Sequence, residues 1–133
     1  MRPRSIVLAV VAVTLLSSRG SAQAPRANVV VGTWRGTSLC LVKPSSCNDE
    51  HVVYRVTALE SRDSVSIDAL KMVNGQEEEM AVLRCGVTEP RVQVTCAMRN
   101  GVWRFEVRGD SLVGELRLPN NTRFRDVRTA RSR

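Results

Sequence analysis

Four cysteines and one histidine are the residues of this chain with the most versatile chemistry. Cys40 and Cys47 are separated by six residues, and Cys85 and Cys96 by ten. These spacings match neither the C-x-x-C redox motif nor the closely spaced ligand pairs of common zinc modules. An even number of cysteines predicts disulfide bonds instead, provided that the chain reaches an oxidising compartment. Three pairings are available, and we favour Cys40–Cys47 with Cys85–Cys96 because each closes a short loop at the end of a strand or hairpin.

The single histidine, His51, follows Asp49 and Glu50. A histidine beside carboxylates has the groups needed for general base catalysis, but one histidine in an acidic loop is more often simply solvated. The chain contains no G-x-S-x-G, no H-E-x-x-H and no glycine-rich phosphate loop. We therefore expect no catalytic residue, no metal site and no cofactor, and a protein that is not an enzyme.

The first 22 residues have the pattern of a secretory signal peptide. Arg2 and Arg4 precede an apolar run that ends at Leu16, and small residues follow it as far as Ala22. The run is shorter than the roughly 20 residues that span a bilayer. We place cleavage after Ala22 rather than Ala24, since the second site would leave proline as the first residue. We expect a secreted or periplasmic protein that is monomeric, not membrane-spanning and, given the excess of arginine over lysine, bacterial.

Most of the remaining chain alternates apolar and polar residues with a period of two, which is typical of half-buried strands. Asn74-Gly75 and Asn100-Gly101 are strong hairpin signals because both residue types tolerate positive φ. The segments predict an all-β fold of about eight strands with tight connections. Closing such a sheet removes its edges, so we predict a small up-and-down antiparallel barrel over residues 30–133, with a β-sandwich as the alternative. Residues 23–29 are predicted to form a flexible N-terminal arm.

The start of the first strand resembles a known family. Gly32-Thr33-Trp34 is similar to the G-x-W opening of the calycin barrels, which include lipocalins and avidins. The resemblance implies that Trp34 closes one end of the barrel and that an arginine of the last strand packs across it. Three arginines are the candidates: Arg123, Arg125 and Arg128. It also implies a non-catalytic binding protein that carries a small apolar ligand inside the barrel.

The alternation of residues indicates which side chains face the interior. The predicted interior residues are Trp34, Tyr54, Val56, Ile67, Val94, Met98, Trp103, Phe105 and Leu116. Among them, the candidates for ligand binding are Trp34, Tyr54, Met98, Trp103 and Phe105.

An alternative function is a protein-interaction module such as an envelope protein or a secreted protease inhibitor. Secreted bacterial inhibitors of metalloproteases are similarly small eight-stranded barrels with an exposed N-terminal arm, and residues 23–29 would be that arm. Residues 84–133 also hold 11 basic and 5 acidic side chains. One outer face is predicted to carry Arg91, Arg104, Arg108, Arg117 and either Arg123 or Arg125. Such a face would attract an acidic protein or envelope surface, but it lacks the interleaved aromatic residues that bind nucleic acid.

Overall fold

The computed structural model describes residues 26–133. The predicted signal peptide (residues 1–22) and the first residues of the predicted arm lie outside this part of the chain. The described residues form one helical turn and eight strands: α1 (Ala27–Val30), β1 (Gly32–Cys40), β2 (Glu50–Ala58), β3 (Ser64–Val73), β4 (Gln76–Thr88), β5 (Gln93–Met98), β6 (Gly101–Arg108), β7 (Ser111–Arg117) and β8 (Arg123–Arg131).

The strands form a closed barrel in sequence order. Each strand pairs antiparallel with the next, and β8 returns to pair with β1. This arrangement confirms the predicted all-β up-and-down barrel of eight strands and excludes the sandwich. Because side chains alternate along each strand, one set fills the interior while the other faces outward.

The hairpin turns follow the predicted positions with one correction. Asn74 (φ 50°) and Gly75 (φ 77°) join β3 to β4, as the sequence predicts. Between β5 and β6, however, Met98 pairs with Gly101, so the turn consists of Arg99 and Asn100, and Gly101 is the first strand residue. A Cβ on Gly101 would overlap a backbone carbonyl of β7. Glycine is therefore needed within the strand, both for this close approach and for its positive φ of 153°.

The barrel end that contains α1, here called the helical end, is closed by packed side chains. Ala27 and Val30 of α1 are buried, and the Trp34 Nε1 atom donates a hydrogen bond to the Val30 carbonyl oxygen at 2.9 Å. Burial of the Ala27 and Val30 side chains favours packing of α1 against the barrel.

The disulfide bonds are those that the sequence favours. Cys40–Cys47 ties the end of β1 to the loop of residues 41–49, and Cys85–Cys96 joins β4 to β5. Two disulfides are consistent with an extracellular or periplasmic location. Within residues 26–133, no helix is long and apolar enough to cross a membrane.

One pairing in the barrel is much shorter than the others. The strand β4 has ten paired positions with β3 but only three with β5, at Gly86, Val87 and Thr88. The Cys85–Cys96 disulfide lies at the next position of that register. Beyond it, residues 79–84 have paired positions with β3 alone, and we call this stretch the open edge of β4.

Candidate ligand-binding cavity

A cavity of about 250 Å³ lies inside the barrel at the end opposite α1. It is lined by Ser38, Glu50, Tyr54, Ala69, Met80, Ala81, Leu83, Met98, Trp103, Phe105, Leu116 and Arg125. Nine of these side chains are aromatic, aliphatic or thioether groups, whereas three are polar. The cavity is therefore apolar over most of its wall and polar at one end.

Three aromatic rings form one wall of the cavity. Trp103 and Phe105 lie two residues apart on β6 and so face the same side, with parallel rings whose centroids are 5.6 Å apart. Tyr54 of β2 meets the Phe105 ring edge to face at 5.7 Å. Gly114 of β7 is paired with Phe105, and a Cβ there would overlap the Phe105 ring. The missing side chain of Gly114 thus makes the space that the Phe105 ring occupies.

Arg125 forms the centre of the polar end. Its Nη1 atom donates hydrogen bonds to the Ser38 Oγ and the Asn48 carbonyl oxygen, both at 3.1 Å. The same atom lies 3.5 Å from the Glu50 Oε2, and both side chains are less than one-fifth exposed. Among the residues that the structure describes, every polar contact of Arg125 passes through Nη1. Its Nε and Nη2 groups are left available for another acceptor.

Tyr54 supplies a further polar atom close to this group. Burial raises the pKa of its phenol above the ordinary value of 10.0, since the tyrosinate would lose its hydration; nearby Arg125 opposes that increase. The phenol therefore remains protonated near neutral pH. A protonated hydroxyl next to Ser38 can both donate and accept hydrogen bonds.

Two methionines stand at the rim of the cavity. Met80 and Met98 are 39% and 42% exposed, although both also contribute to the cavity wall. Methionine side chains are unbranched and change conformation readily, so they adapt to ligands of different shapes. Met98 is the last residue of β5, so its side chain lies at the mouth of the barrel and is partly exposed while it lines the cavity.

The structure brings four of the five predicted ligand-binding residues together, namely Tyr54, Met98, Trp103 and Phe105. The fifth, Trp34, is fully buried at the helical end, away from the cavity.

The arginine over Trp34 is Arg131, not one of the three arginines that we predicted. Its Cζ lies 4.2 Å from the ring centroid. The register of β1 with β8 explains the difference, because Trp34 pairs directly with Arg131.

Sequence reasoning missed the three polar residues of the cavity. Ser38 shares the interior face of β1 with Trp34, so the alternation carried a signal for it. Arg125 lies two residues before the buried Val127 in regular register, so alternation back from Val127 also indicated the interior for it. The register of β7 with β8 skips Phe124, between Arg123 and Arg125, and this irregularity obscured the alternation at the start of β8.

A second depression, of about 470 Å³, lies on the outer face of β5 to β8. It confirms part of the predicted arginine-rich face, since Arg104, Arg108 and Arg123 line it together with Arg128. Arg125 instead contacts the interior cavity. Carboxylates neutralise much of this face: a hydrogen bond from Arg117 lowers the pKa of Glu115, and one from Arg108 lowers the pKa of Glu106.

The His51 side chain is exposed on β2. Within residues 26–133, no group of three or more His, Cys, Asp or Glu side chains is placed to hold a metal ion.

Comparison of the chain with protein-family models, with curated proteins and with solved structures finds no match in any of the three. The fold and the site themselves define a small, disulfide-bonded, eight-stranded antiparallel barrel with an interior cavity. This architecture is compatible with a calycin-like fold.

Proposed function

We propose that this chain is a secreted or periplasmic, non-catalytic binding protein of lipocalin-like type, and that it carries a small, mostly apolar ligand with one polar end. The observation that carries the proposal is the cavity opposite α1, where Tyr54, Trp103 and Phe105 form an apolar wall and Arg125 a polar end. Concave, mostly apolar sites with a few convergent polar groups are typical of ligand-binding sites.

The volume of the cavity limits the size of the ligand. About 250 Å³ corresponds to roughly eight water molecules at about 30 Å³ each. A ligand that fills it has roughly eight to twelve non-hydrogen atoms, as in a substituted phenol or a short branched acid. The binding free energy of so small a ligand is limited, so we expect dissociation constants of roughly 10–500 μM.

The polar end favours a ligand that both accepts and donates hydrogen bonds. Arg125 has free N–H donors, whereas Glu50 provides an acceptor beside it. Because Glu50 already balances the charge of Arg125, a neutral hydroxyl or amide group avoids the repulsion that a carboxylate would meet. We therefore expect a phenol to bind more tightly than the corresponding benzoate.

The interior cavity is a better candidate for ligand binding than the larger outer depression. The outer depression is lined by ion-paired side chains that remain accessible to water, such as Arg123 and the partly buried Glu115. A ligand there would replace hydration and existing ion pairs without burying much apolar surface, and exposed ion pairs contribute little free energy. The interior cavity offers aromatic surface that is removed from water when a ligand enters.

Titration with 4-ethylphenol, 4-ethylbenzoate and indole tests the proposal. Binding is followed by saturation-transfer NMR and by the emission of Trp103, which lines the cavity. We expect saturable binding of 4-ethylphenol to the protein. Absence of binding at about 5 mM, roughly tenfold above the highest expected dissociation constant, would refute the proposal.

A matched pair of variants locates the binding. Ala81→Phe places a ring in the cavity and should abolish binding, whereas Ala97→Phe adds the same ring at an exposed position of β5. Far-UV circular dichroism checks that both variants fold. Equal binding by the two variants would show that the probe occupies another site.

The second candidate function is recognition of an acidic protein or envelope surface by the outer face of β5 to β8. It is favoured by Arg104, which lines the depression but forms no ion pair with any described residue. Binding of a poly-glutamate probe that weakens steeply with salt and is lost in Arg104→Glu would support this function. The inhibitor version is weaker, since Ala27 of the predicted arm is buried.

A further inference from the structure

On the side that faces away from β3, the backbone N–H and C=O groups along the open edge of β4 are not paired with another described strand. Along a strand, successive residues direct their N–H and C=O groups to opposite neighbours. Apart from Met80, residues 79–84 pair with β3, and none of them has a paired position with β5; no turn or loop hydrogen bond within residues 26–133 reaches them. About three residues therefore present both backbone groups to the open side. Unpaired edges of this kind are the usual sites of strand addition.

The outward side chains of this edge are apolar at its centre and oppositely charged towards its ends. Val82 is 54% exposed, the most exposed of the large hydrophobic residues that the structure describes. Glu79 and Arg84 flank it and are also exposed, and neither forms an ion pair with a described residue. An edge with one negative end and one positive end is complementary to itself when a second copy runs antiparallel to it.

We propose that the open edge of β4 pairs antiparallel with the same edge of a second copy of this chain, forming a symmetric dimer centred on Val82. Val82 then lies opposite Val82 of the second copy. The outward-facing side chains of one edge therefore lie beside the outward-facing side chains of the other. The irregularity between Ala69 and Leu70 in the β3–β4 register leaves Met80 as an extra residue. Glu79 and Met80 together therefore face Arg84 of the second copy, giving two equivalent charge pairs.

The Cys85–Cys96 disulfide limits where the second copy can pair. It joins β4 to β5 at the point where their pairing ends, with a Cα–Cα distance of 4.3 Å. The barrel therefore stays closed from Cys85 towards the helical end, while the edge beyond it stays accessible. The dimer uses only this short segment, so we expect a dissociation constant in the micromolar range.

Sedimentation velocity from about 1 μM to about 1 mM tests the dimer directly. Val82→Lys places two like charges at the centre of the interface and should abolish association. Its matched control is Val29→Lys, which puts the same charge on an exposed valine at the helical end and should leave association unchanged. A protein that is monomeric at every concentration would overturn the proposal, as would a dimer that Val82→Lys leaves intact.

A charge exchange separates specific pairing from a general loss of folding. Glu79→Arg and Arg84→Glu alone should each weaken the dimer roughly tenfold, because each turns two attractive pairs into repulsive ones. The double variant restores opposite charges and should return the dissociation constant to near its original value. Failure of the double variant to recover association, when all three variants show native circular dichroism, would refute the antiparallel register.

Discussion

The guanidinium carbon of Arg131 lies 4.2 Å from the centre of the Trp34 ring. Arg131 also donates hydrogen bonds through Nη1 to the Val31 carbonyl oxygen at 2.8 Å and through Nη2 to the Val29 carbonyl oxygen at 2.7 Å. One side chain of the last strand thus covers the tryptophan of the first strand and holds the segment around α1. The helical end is stabilised by this contact as well as by apolar packing.

Replacement of Arg131 tests how much this contact stabilises the barrel. Arg131→Ala removes a cation–π contact and two charged hydrogen bonds, so we expect a loss of about 2–4 kcal/mol in the free energy of unfolding. Arg131→Lys keeps the charge but cannot reach both carbonyl oxygens, and should lose about half as much. Urea unfolding followed by fluorescence measures both values. A loss below about 0.5 kcal/mol for the alanine variant, as at ordinary surface positions, would contradict this role.

The two disulfides should contribute unequally to stability. Loop closure accounts for about 2.5–3 kcal/mol in each case. Cys85 and Cys96 are in addition part of the buried core, so Cys85→Ala/Cys96→Ala also leaves a small cavity and should cost about 1 kcal/mol more than Cys40→Ala/Cys47→Ala. Guanidinium unfolding of the two double variants makes the comparison. A larger loss for the Cys40 and Cys47 variant would be inconsistent with this packing.

Three glycines should respond differently to one added methyl group. A Cβ on Gly36 would overlap the Arg128 carbonyl oxygen of the neighbouring strand, and one on Gly114 would overlap both the Phe105 ring and the Arg104 carbonyl oxygen. Backbone yields little at either position and the overlap is deeper at Gly36, so we expect losses of about 3 kcal/mol for Gly36→Ala and about 2–3 kcal/mol for Gly114→Ala. Gly86→Ala meets open space and should change stability by less than about 0.5 kcal/mol. Thermal unfolding of the three variants checks this order.

Tyr54 is the only tyrosine of the chain, so its titration can be observed directly. Burial raises the pKa of the folded phenol above the ordinary value of 10.0. Its contribution to stability is therefore complete below pH 10 and is lost as the pH rises above that value, because only the unfolded state ionises freely. Difference absorbance at pH 11 should show little tyrosinate in the folded protein and mostly tyrosinate in urea. Equal ionisation in both states would show that the cavity wall is open to water.

Much of the barrel is encoded locally and was therefore predictable from the sequence. Alternation assigns residues such as Ile67 and Val94 to the interior, and Asn74-Gly75 specifies its hairpin through backbone conformation alone. The disulfide pairs follow from the same strand arrangement. These signals all lie within one strand or one hairpin.

The features that the sequence did not predict depend on register between strands. Val53 is buried although it lies on the outer face of β2, where Leu70 is paired with it. Arg35 and Arg55 both reach Glu77 across this part of the outer face. The burial of Val53 therefore depends on side chains of β1, β3 and β4. The alternation of residues within β2 alone cannot predict it. The contacts at the polar end of the cavity depend on register in the same way, since Arg125 meets Ser38 only through the pairing of β8 with β1.

The pairing of β1 with β8 also has consequences for the order of folding. Every other pair of strands is adjacent in sequence, and such hairpins form within microseconds. The contact between Val31 and Arg131 joins residues 100 apart in sequence. Forming it costs the conformational entropy of closing a loop that contains nearly the whole barrel. Trp34 lies at this closing contact, whereas Trp103 pairs with Cys96 within a single hairpin. Tryptophan emission during refolding should therefore contain two phases, with the slower one belonging to Trp34.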